Sequence, residues 1–403
     1  MTTTIIITIC SLLLLAYAFD LSASKTKIPS VILLLVLGYV CKQLTDLFQI
    51  SIPDLAPTLP LLGTIGLILI VLEGSLELEF NASKLNVIGK AAVIALIPML
   101  ILAFGMAYIL QQYEGVPLKN GLANAIPLAI ISSAIAIPSA AHLLASNKEF
   151  ITYESSLSDI FGVILFNFIT LNDNIGSESV GSFSLQLLLM LAITFVVTIG
   201  LAFLLSRIRH HIKYSPIIIM VILIYALSKY YHLPALIFIL LFGLFLGNLD
   251  ELKNNRFIQK LKPEILNDEV HKFKELTTEI AFLVRALFFL LFGFLINSNE
   301  LFNHETILWA IGICVSVLFL RFLFLKAFKM EMLPVLFIAP RGLITILLFL
   351  NIPSSQAVSL VNKSLIIQVI ILGALIMMIG LMINKPVRAN VKQSNQDTSE
   401  EEE

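Results

Sequence analysis

The chain has few charged residues. Only 13% of its 403 residues are Asp, Glu, Lys or Arg, while 58% are hydrophobic. Soluble domains carry about 25% charged and about 45–50% apolar residues. Water alone could not solvate a chain of this composition, so an ordinary soluble domain is excluded and an integral membrane protein is predicted.

Signatures of several other functions are also missing. The net charge of −1 leaves no basic surface for nucleic acid, and there is neither a zinc-type Cys/His spacing nor a Gly-rich phosphate loop. The three cysteines, Cys10, Cys41 and Cys314, lie in apolar runs, and an odd number does not make a complete disulfide framework. We therefore predict neither an enzyme nor a bound cofactor.

The hydrophobic runs predict an all-α polytopic membrane protein. A helix needs roughly 20 apolar residues to cross a bilayer, and residues 1–19 lack the positive charge of a signal peptide, so they count as the first span. We expect one membrane domain over residues 1–385 and a disordered acidic tail, 386–403. The thirteen predicted spans are 3–20, 28–47, 57–78, 85–112, 118–146, 150–171, 182–207, 214–231, 233–249, 275–297, 306–328, 332–351 and 363–385.

The distribution of Lys and Arg predicts the orientation, because cytoplasmic loops carry an excess of these residues. Of 26 in total, four fall on one side, two fall inside spans, and the count assigns the other twenty to the opposite side. The four are Lys42, Lys119, Lys229 and Lys363, and the two are Arg285 and Arg341. This predicts a bacterial inner-membrane protein with its N-terminus outside and its C-terminus in the cytoplasm. The charged connection 250–274 is expected to form a surface helix.

Ionisable residues inside the spans are candidate functional residues, because a charge at the bilayer centre costs about 2.5–3.5 kcal/mol on insertion scales. An unpaired buried arginine is costly, which predicts that Glu154 pairs with Arg341. Alternatively, Glu154 carries the ion and Arg341 only braces a helix end. Arg285 is predicted to satisfy Glu73 or Glu279, unless Glu73 lines the ion pathway instead.

Two further features near the spans have less specific meanings. His142, near the end of the fifth span, either senses pH, since imidazole titrates near 6.5, or only forms a hydrogen bond near a helix end. Phe288, Phe289 and Phe292 form an apolar surface, and we predict that they pack rather than bind a cofactor.

Two spans are interrupted at corresponding positions. Pro138 follows two serines, Ser132 and Ser133, in the fifth span, and Pro340 stands close to Gly342 in the twelfth. If span seven, 182–207, is a linker, the remaining spans form two six-helix halves, and each broken helix is the fifth of its half. Such a pair predicts inverted repeats with a binding site near the bilayer midplane, whereas the alternative is two simple proline kinks.

The sixth span carries two carboxylates and two hydroxyls on one face of a helix. Glu154 lies four residues before Ser158, and Ser155 lies four residues before Asp159, so each pair stacks on the helix surface. Hard cations prefer oxygen ligands of this kind. Since a low dielectric raises the pKa of a carboxyl group, one such group can bind either a proton or a cation.

At these residues the sequence resembles the monovalent cation–proton antiporter superfamily over nearly the whole chain. Residues 154–159, Glu-Ser-Ser-Leu-Ser-Asp, resemble its sixth-span pattern Glu-Ser-Leu-x-Asn-Asp. Residues 339–343, Ala-Pro-Arg-Gly-Leu, are similar to its Leu-Arg-Gly segment in the second broken helix. Residues 72–78, Leu-Glu-Gly-Ser-Leu-Glu-Leu, are similar to its third-span signature.

The resemblance implies a secondary antiporter that exchanges Na⁺ or K⁺ for protons by alternating access. It makes Asp159 the shared site of the monovalent cation and the proton, and Glu154 a structural glutamate paired with Arg341. It also implies a homodimer, in which core helices move against scaffold helices that form the dimer contact. The core helices lie within 85–171 and 306–385, and the scaffold helices within 1–78 and 214–297.

Three departures from the family pattern affect these expectations. Ser158 stands where the family has Asn or, in electrogenic members, a second Asp, which favours electroneutral exchange. Residues 136–138, Ala-Ile-Pro, replace Thr-Asp-Pro, so the fifth span offers backbone carbonyls and the hydroxyls of Ser132 and Ser133. Arg285 stands where Asn or a nearby Lys is expected, which leaves the stoichiometry open. An ion channel and an organic-anion symporter remain as alternatives from other classes.

Overall fold

The computed structural model describes residues 2–26, 28–50, 52, 54–78, 82–141, 143–172, 177–207, 213–231, 233–249 and 263–383. These residues form helices and connecting segments, and no strand occurs among them. His142, residues 250–262 and the acidic tail lie outside the described residues. The α-helices are α1 (Thr2–Thr26), α2 (Ser30–Leu47), α3 (Leu59–Glu77), α4 (Leu85–Glu114), α5 (Leu118–Ala129), α6 (Ser133–Ala140), α7 (Ala145–Leu171), α8 (Ser177–Arg207), α9 (Tyr214–Tyr230), α10 (Leu236–Gly247), α11 (Pro263–Phe294), α12 (Ser298–Leu301), α13 (His304–Ala327), α14 (Leu343–Leu350) and α15 (Lys363–Ile383).

The helices are those of a multi-pass membrane protein. Ten helical stretches of the described chain are long and apolar enough to cross a bilayer. Two shorter apolar helices, α9 and α10, have 17 and 12 residues. The all-helical fold is thus as predicted, whereas the count of thirteen spans and the inverted repeats stay predictions.

Helix α11 differs from the prediction at its start. A surface helix before a separate span was expected, but one continuous helix runs over Pro263–Phe294. Leu266, Val270 and Phe273 are buried, and this spacing of four and three residues gives the first part of the helix one apolar face. Because that face packs onto the protein, the helix continues without a break into the membrane segment.

Helices of neighbouring sequence pack into two groups. One group contains α2, α3, α10 and α11, with α8 packed against α10 and α11. The other contains α4, α5, α6 and α7, together with α13, which packs against α15 and α4. Where α2 meets α11, a Cβ atom on Gly38 would lie only 2.8 Å from the backbone nitrogen of Phe294. Glycine therefore permits direct backbone contact between these helices, as small residues do in membranes.

The first broken segment is interrupted earlier than its proline. Helix α5 ends at Ala129, residues 130–132 are not helical, and α6 begins at Ser133. Pro138 lies inside α6, so the prediction that this proline interrupts the span is wrong. The interruption occurs where side chains and backbone from other elements bind the free amides, as described below.

The second broken segment is mostly non-helical. A short 3-10 helix, Val335–Phe337, is followed by non-helical residues 338–342 and then by α14. Pro340 and Gly342 both lie in the non-helical stretch. Helix α14 packs against α3, α5 and α7, which brings the end of this stretch beside the first broken segment.

Candidate functional site

Asp159 of α7 lies where α6 begins. Its side chain is buried, with 2% of the residue exposed. The Ser133 backbone N–H donates to Oδ2 at 3.2 Å, and the Ser133 hydroxyl donates to the same oxygen. Since Ser133 is the first residue of α6, the carboxylate lies at the positive end of that helix. The other carboxylate oxygen, Oδ1, has no hydrogen-bond partner among the described residues.

The unwound residues 130–132 hold the two broken segments together. The Ile131 N–H donates to the Ser158 hydroxyl at 2.9 Å, and the Ser132 N–H donates to the Pro340 carbonyl at 2.9 Å. An unpaired buried amide costs free energy comparable to a lost hydrogen bond, so these contacts make the interruption tolerable. Ser158 therefore holds the backbone beside Asp159.

Gly342 allows the two segments to cross closely. A Cβ atom at this position would lie 2.9 Å from Ser132 Oγ and 2.6 Å from Ile135 Cδ1. A side chain here would push against the first broken segment, so glycine allows the crossing to be this close.

Arg341 binds carbonyl oxygens and not Glu154. Its Nε donates to the Leu128 carbonyl at 2.9 Å, and Nη2 donates to the Ala129 carbonyl at 3.2 Å. Nη1 donates to the Ala339 carbonyl at 2.6 Å. Leu128 and Ala129 are the last residues of α5, so the guanidinium satisfies the free carbonyls at the negative end of that helix.

The partner of Glu154 is Arg321 of α13. Arg321 Nη2 donates to Glu154 Oε2 at 2.7 Å, and Nη1 donates to Oε1, which makes the pair bidentate. Nε of the same arginine donates to the Val335 carbonyl at 2.9 Å. Both partners are buried, with 1% and 3% of the residues exposed. The predicted Glu154–Arg341 ion pair is therefore wrong, because packing of α13 brings a different arginine to α7.

The sequence did contain a signal for Arg321. It lies inside the predicted span 306–328, between Leu320 and Phe322, which is a setting where arginine is costly. The count of basic residues assigned it to the cytoplasmic side instead. Because Arg321 is buried in α13, it should not be counted among the basic residues of the cytoplasmic side.

Of the two carboxylates predicted as partners of Arg285, Glu73 lies near it and Glu279 does not pair with it among the described residues. Arg285 Nη1 lies 3.9 Å from Glu73 Oε2, and both side chains are mostly buried. Glu279 is exposed, and no ion pair of the described residues includes it. Glu77, in the same helix as Glu73, lies 3.9 Å from Lys274, so a cation lies near each of these two carboxylates of α3.

Several buried oxygens in the described core have no hydrogen-bond partner. Ser155, in contrast, donates to the Ile151 carbonyl of its own helix at 2.7 Å, which leaves its oxygen lone pairs for another ligand. Such atoms in α7, α14 and the first broken segment include Asp159 Oδ1, Ser132 Oγ, Ser156 Oγ and Thr345 Oγ1.

The donor set suits a small monovalent cation. Asp159 contributes one carboxylate, and its observed hydrogen-bond partners are the neutral hydroxyl and backbone amide of Ser133. Within the described residues, no group of three or more His, Cys, Asp or Glu side chains could hold a metal ion. One negative charge with neutral oxygen ligands balances one positive charge, by the ligand preference of hard cations.

Comparison with solved structures shows a similar fold over nearly the whole length. The sodium proton antiporter MjNhaP1 from Methanocaldococcus jannaschii at pH 8 matches with a TM-score of 0.64 and 19% identity, covering 94% of this chain and 96% of that one. An electron-microscopy structure of the same antiporter gives a TM-score of 0.66 and 19% identity, covering 95% of each chain. No curated protein sequence matches the chain significantly.

The family model described as "Sodium/hydrogen exchanger, transmembrane" matches residues 9–389. The match includes both broken segments and the helix that carries Asp159, and it confirms the predicted resemblance to monovalent cation–proton antiporters. This is a family of transporters and not of enzymes. The chain belongs to the transmembrane sodium/hydrogen exchanger family.

Proposed function

We propose that the chain is a secondary antiporter that exchanges Na⁺ or K⁺ for protons, with Asp159 as the site that both ions share. The observation that carries the proposal is the carboxylate itself. Oδ2 is held by Ser133, while Oδ1 is buried and has no partner within the described residues. A buried polar atom without a partner is costly, and a proton or a dehydrated cation on Oδ1 would remove that cost.

Competition for one carboxylate produces exchange. A proton and a cation cannot both neutralise Asp159, so binding of one releases the other. A charged buried group without a counter-ion is strongly disfavoured in a low dielectric. The loaded forms therefore cross the membrane more readily than the empty form, and transport in one direction requires a return load.

The ion pairs support a one-for-one, electroneutral exchange. Glu154 is neutralised by Arg321 and Glu73 lies beside Arg285, whereas no ion pair of the described chain includes Asp159. Serine at position 158 supplies no second carboxylate. One titrating group exchanges one proton for one monovalent cation.

Alternating access is proposed to move the core against the scaffold. Helices α4 to α7 pack with one another, as do α2, α3, α10 and α11, which supports two units of the predicted composition. The homodimer, the bacterial inner membrane and the orientation with the N-terminus outside are part of the same proposal. Without Arg321, nineteen basic residues remain on the predicted cytoplasmic side against four outside, so the charge bias still supports this orientation.

The function is tested by purified protein in proteoliposomes that contain a pH-sensitive dye, to which Na⁺, K⁺ and Li⁺ are added in turn. The intact protein should move protons in response to at least one cation, and Asp159→Asn should abolish the response. Asp46→Asn is the matched control, because Asp46 is an exposed carboxylate on α2 whose ion-pair partner in the described part of the chain is Lys42. Valinomycin with clamped K⁺ should leave the rate unchanged if the exchange is electroneutral.

Two results would contradict the proposal. One is the absence of cation-dependent proton movement by intact, monodisperse protein. The other is a response in Asp159→Asn equal to that of the Asp46→Asn control.

A further inference from the structure

Thr345 is a deeply buried hydroxyl outside the predicted set of site residues. It lies in α14, is 0% exposed, and its Oγ1 has no hydrogen-bond partner among the described residues. Leaving a buried hydroxyl unpaired costs about 1–3 kcal/mol. Such an atom in the core of a transporter therefore needs an explanation.

The break in the second segment leaves Thr345 without a helical residue four positions earlier. Threonine and serine inside helices commonly donate to the carbonyl four residues earlier, and Thr170 and Thr277 of this chain do so at 2.8 Å. For Thr345 that residue is Arg341, which lies in the non-helical stretch before α14. The Gly342 carbonyl, three residues earlier, accepts instead from the Ile346 N–H at 3.1 Å.

Neighbouring contacts show which way Thr345 faces. Cδ2 of Leu343 lies 3.7 Å from a Cβ atom built on Gly66 of α3, and the side chain of Leu347 lies against Gly63 of the same helix. At 3.6 residues per turn, position 345 lies on the opposite side of α14 from positions 343 and 347. The Thr345 side chain therefore points away from α3, and the other helices against which α14 packs are α5 and α7.

Thr345 is also close to the crossing along the helix axis. Gly342, where the two segments meet, precedes it by three residues, a rise of about 4.5 Å. Ser132 Oγ, which is also unpartnered, lies 2.9 Å from the position of a Cβ atom on Gly342. Ser133, next along the chain, holds Asp159. Less than one turn of α14 thus separates Thr345 from Gly342, the residue at which the two broken segments cross.

We infer that Thr345 is a specificity-determining ligand, whose hydroxyl oxygen binds the transported cation together with Asp159 Oδ1 and Ser132 Oγ. The inference rests on the proposed function and extends it to the second broken segment. A hard cation held at roughly 2.3–2.6 Å from each oxygen can bridge oxygens about 5 Å apart. A neutral third oxygen adds to the coordination number without adding charge, so it affects which dehydrated cation is bound and leaves the exchange ratio unchanged.

The test compares Thr345→Val, which has nearly the same shape and no hydroxyl, with Thr345→Ser, which keeps the hydroxyl. Proton movement in proteoliposomes is measured over a range of Na⁺, Li⁺ and K⁺ concentrations. Thr345→Val should raise the KM for the transported cation about tenfold, the ratio expected for one lost polar contact. It should also change the ratio of KM values among the three cations, while the maximal rate stays within about twofold. Thr345→Ser should stay within about twofold of the intact protein in both quantities.

The chain offers matched controls. Thr194 and Thr198 of α8 are also buried hydroxyls without a partner, and α8 packs against α9, α10 and α11, away from the crossing. Thr194→Val should leave KM and cation selectivity unchanged. A binding measurement without turnover uses the rise in melting temperature of detergent-purified protein with added cation, and Thr345→Val should need about tenfold more cation for the same rise.

The inference is overturned if Thr345→Val keeps the KM and the selectivity of the intact protein, or if Thr194→Val changes them equally. If Thr345→Val does not purify as a folded protein, Thr345→Ala removes the same hydroxyl, and the comparison with Thr345→Ser decides. Absence of transport by the intact protein would instead reject the proposed function, so the two failures are distinguishable.

Discussion

The two buried arginines of the core, Arg321 and Arg341, bind different kinds of acceptor. Arg321 neutralises the carboxylate of Glu154 with both ends of its guanidinium group, whereas Arg341 satisfies three backbone carbonyls. The first contact joins α13 to α7, and the second stabilises the end of α5. Removing Arg321 should therefore affect Glu154 differently from removing Arg341.

Glu154→Gln and Arg321→Gln should each lower stability by about 3–5 kcal/mol, because each leaves one buried charge without its partner. The double variant leaves neither charge, so its loss should be smaller than the sum of the two single losses. Thermal or SDS-induced unfolding of the purified protein measures these changes. A parallel cycle with Arg341→Gln should give weaker coupling to Glu154, and coupling equal to that of Arg321 would contradict the assigned pair.

At the scale of single residues, the sequence predicted which charged residues are energetically costly to bury, but not all of their partners. Glu154, Asp159 and Arg341 were identified because charges in apolar helices are expensive. The choice between two arginines as the partner of Glu154 depended on how α13 packs against α4 and α15, and no local pattern encodes that packing. For the same reason Arg321, a single cation in an apolar helix, was counted with the cytoplasmic residues.

At the scale of elements, the broken segments are stabilised by contacts between distant parts of the sequence. The amides of residues 131–133 bind Ser158, Pro340 and Asp159. The sequence predicted an interruption of the fifth span at Pro138, but the helix is interrupted at residues 130–132, which end six residues before that proline. The location of the interruption depends on acceptors in α7 and in the second segment, which a local pattern cannot reveal.

Gly342→Ala should reduce transport about tenfold, because positioning errors of this kind disturb a site strongly. The added Cβ atom would meet Ser132 Oγ at 2.9 Å and Ile135 Cδ1 at 2.6 Å. The Ile135 methyl group can rotate away from the added Cβ atom, so we expect the fold to persist. The remaining contact with Ser132 Oγ should shift the two broken segments relative to each other. The backbone φ of Gly342 is −168°, an extended conformation that alanine also adopts. The expected effect of the substitution is therefore steric.

Gly105→Ala is the control for that variant. Gly105 lies inside α4, and a Cβ atom there would have no heavy atom within 4 Å. Alanine is favoured over glycine in a helix interior by up to about 1 kcal/mol, so transport should be unchanged and stability equal or higher. Equal transport rates of Gly342→Ala and Gly105→Ala would show that the close crossing does not matter for function.

The middle of α5 is held by a side chain that no sequence pattern singled out. Asn124 Nδ2 donates to the Gln356 carbonyl at 2.8 Å, and its Oδ1 accepts from the Val358 N–H at 3.3 Å. This amide pairs with backbone as a neighbouring strand would. Asn124 thus joins α5 to the segment between α14 and α15. This is a second connection between the two broken segments, in addition to the hydrogen bond from Ser132 to Pro340.

At the scale of the whole molecule, the number of crossings decides the placement of the termini. Ten helical stretches of the described chain satisfy the length and hydropathy of a span. Adding α9, α10 and the second broken segment gives the thirteen of the prediction. An odd number places the two termini on opposite sides of the membrane, whereas an even number places them on the same side.

Epitope tags at the two ends test this count. In intact cells an impermeant reagent should detect the N-terminal tag, and the C-terminal tag should be detected only after permeabilisation, because the excess of basic residues predicts a cytoplasmic C-terminus. Single cysteines provide internal controls in a variant that lacks Cys10, Cys41 and Cys314. Val116→Cys should be labelled from outside and Met330→Cys only from inside. Detection of both tags on the same face would contradict the odd count.

The hydrogen bond from the Ser132 amide to the Pro340 carbonyl uses main-chain atoms alone. Substitution of the Ser132 side chain therefore does not by itself remove this hydrogen bond. The crossing of the two broken segments should tolerate mutation at position 132. Side chains at the proposed ion site can consequently change over evolutionary time while the main-chain contact that positions them persists. An ancestor with this contact could give rise to descendants that prefer different ions, through single substitutions and without any new architecture.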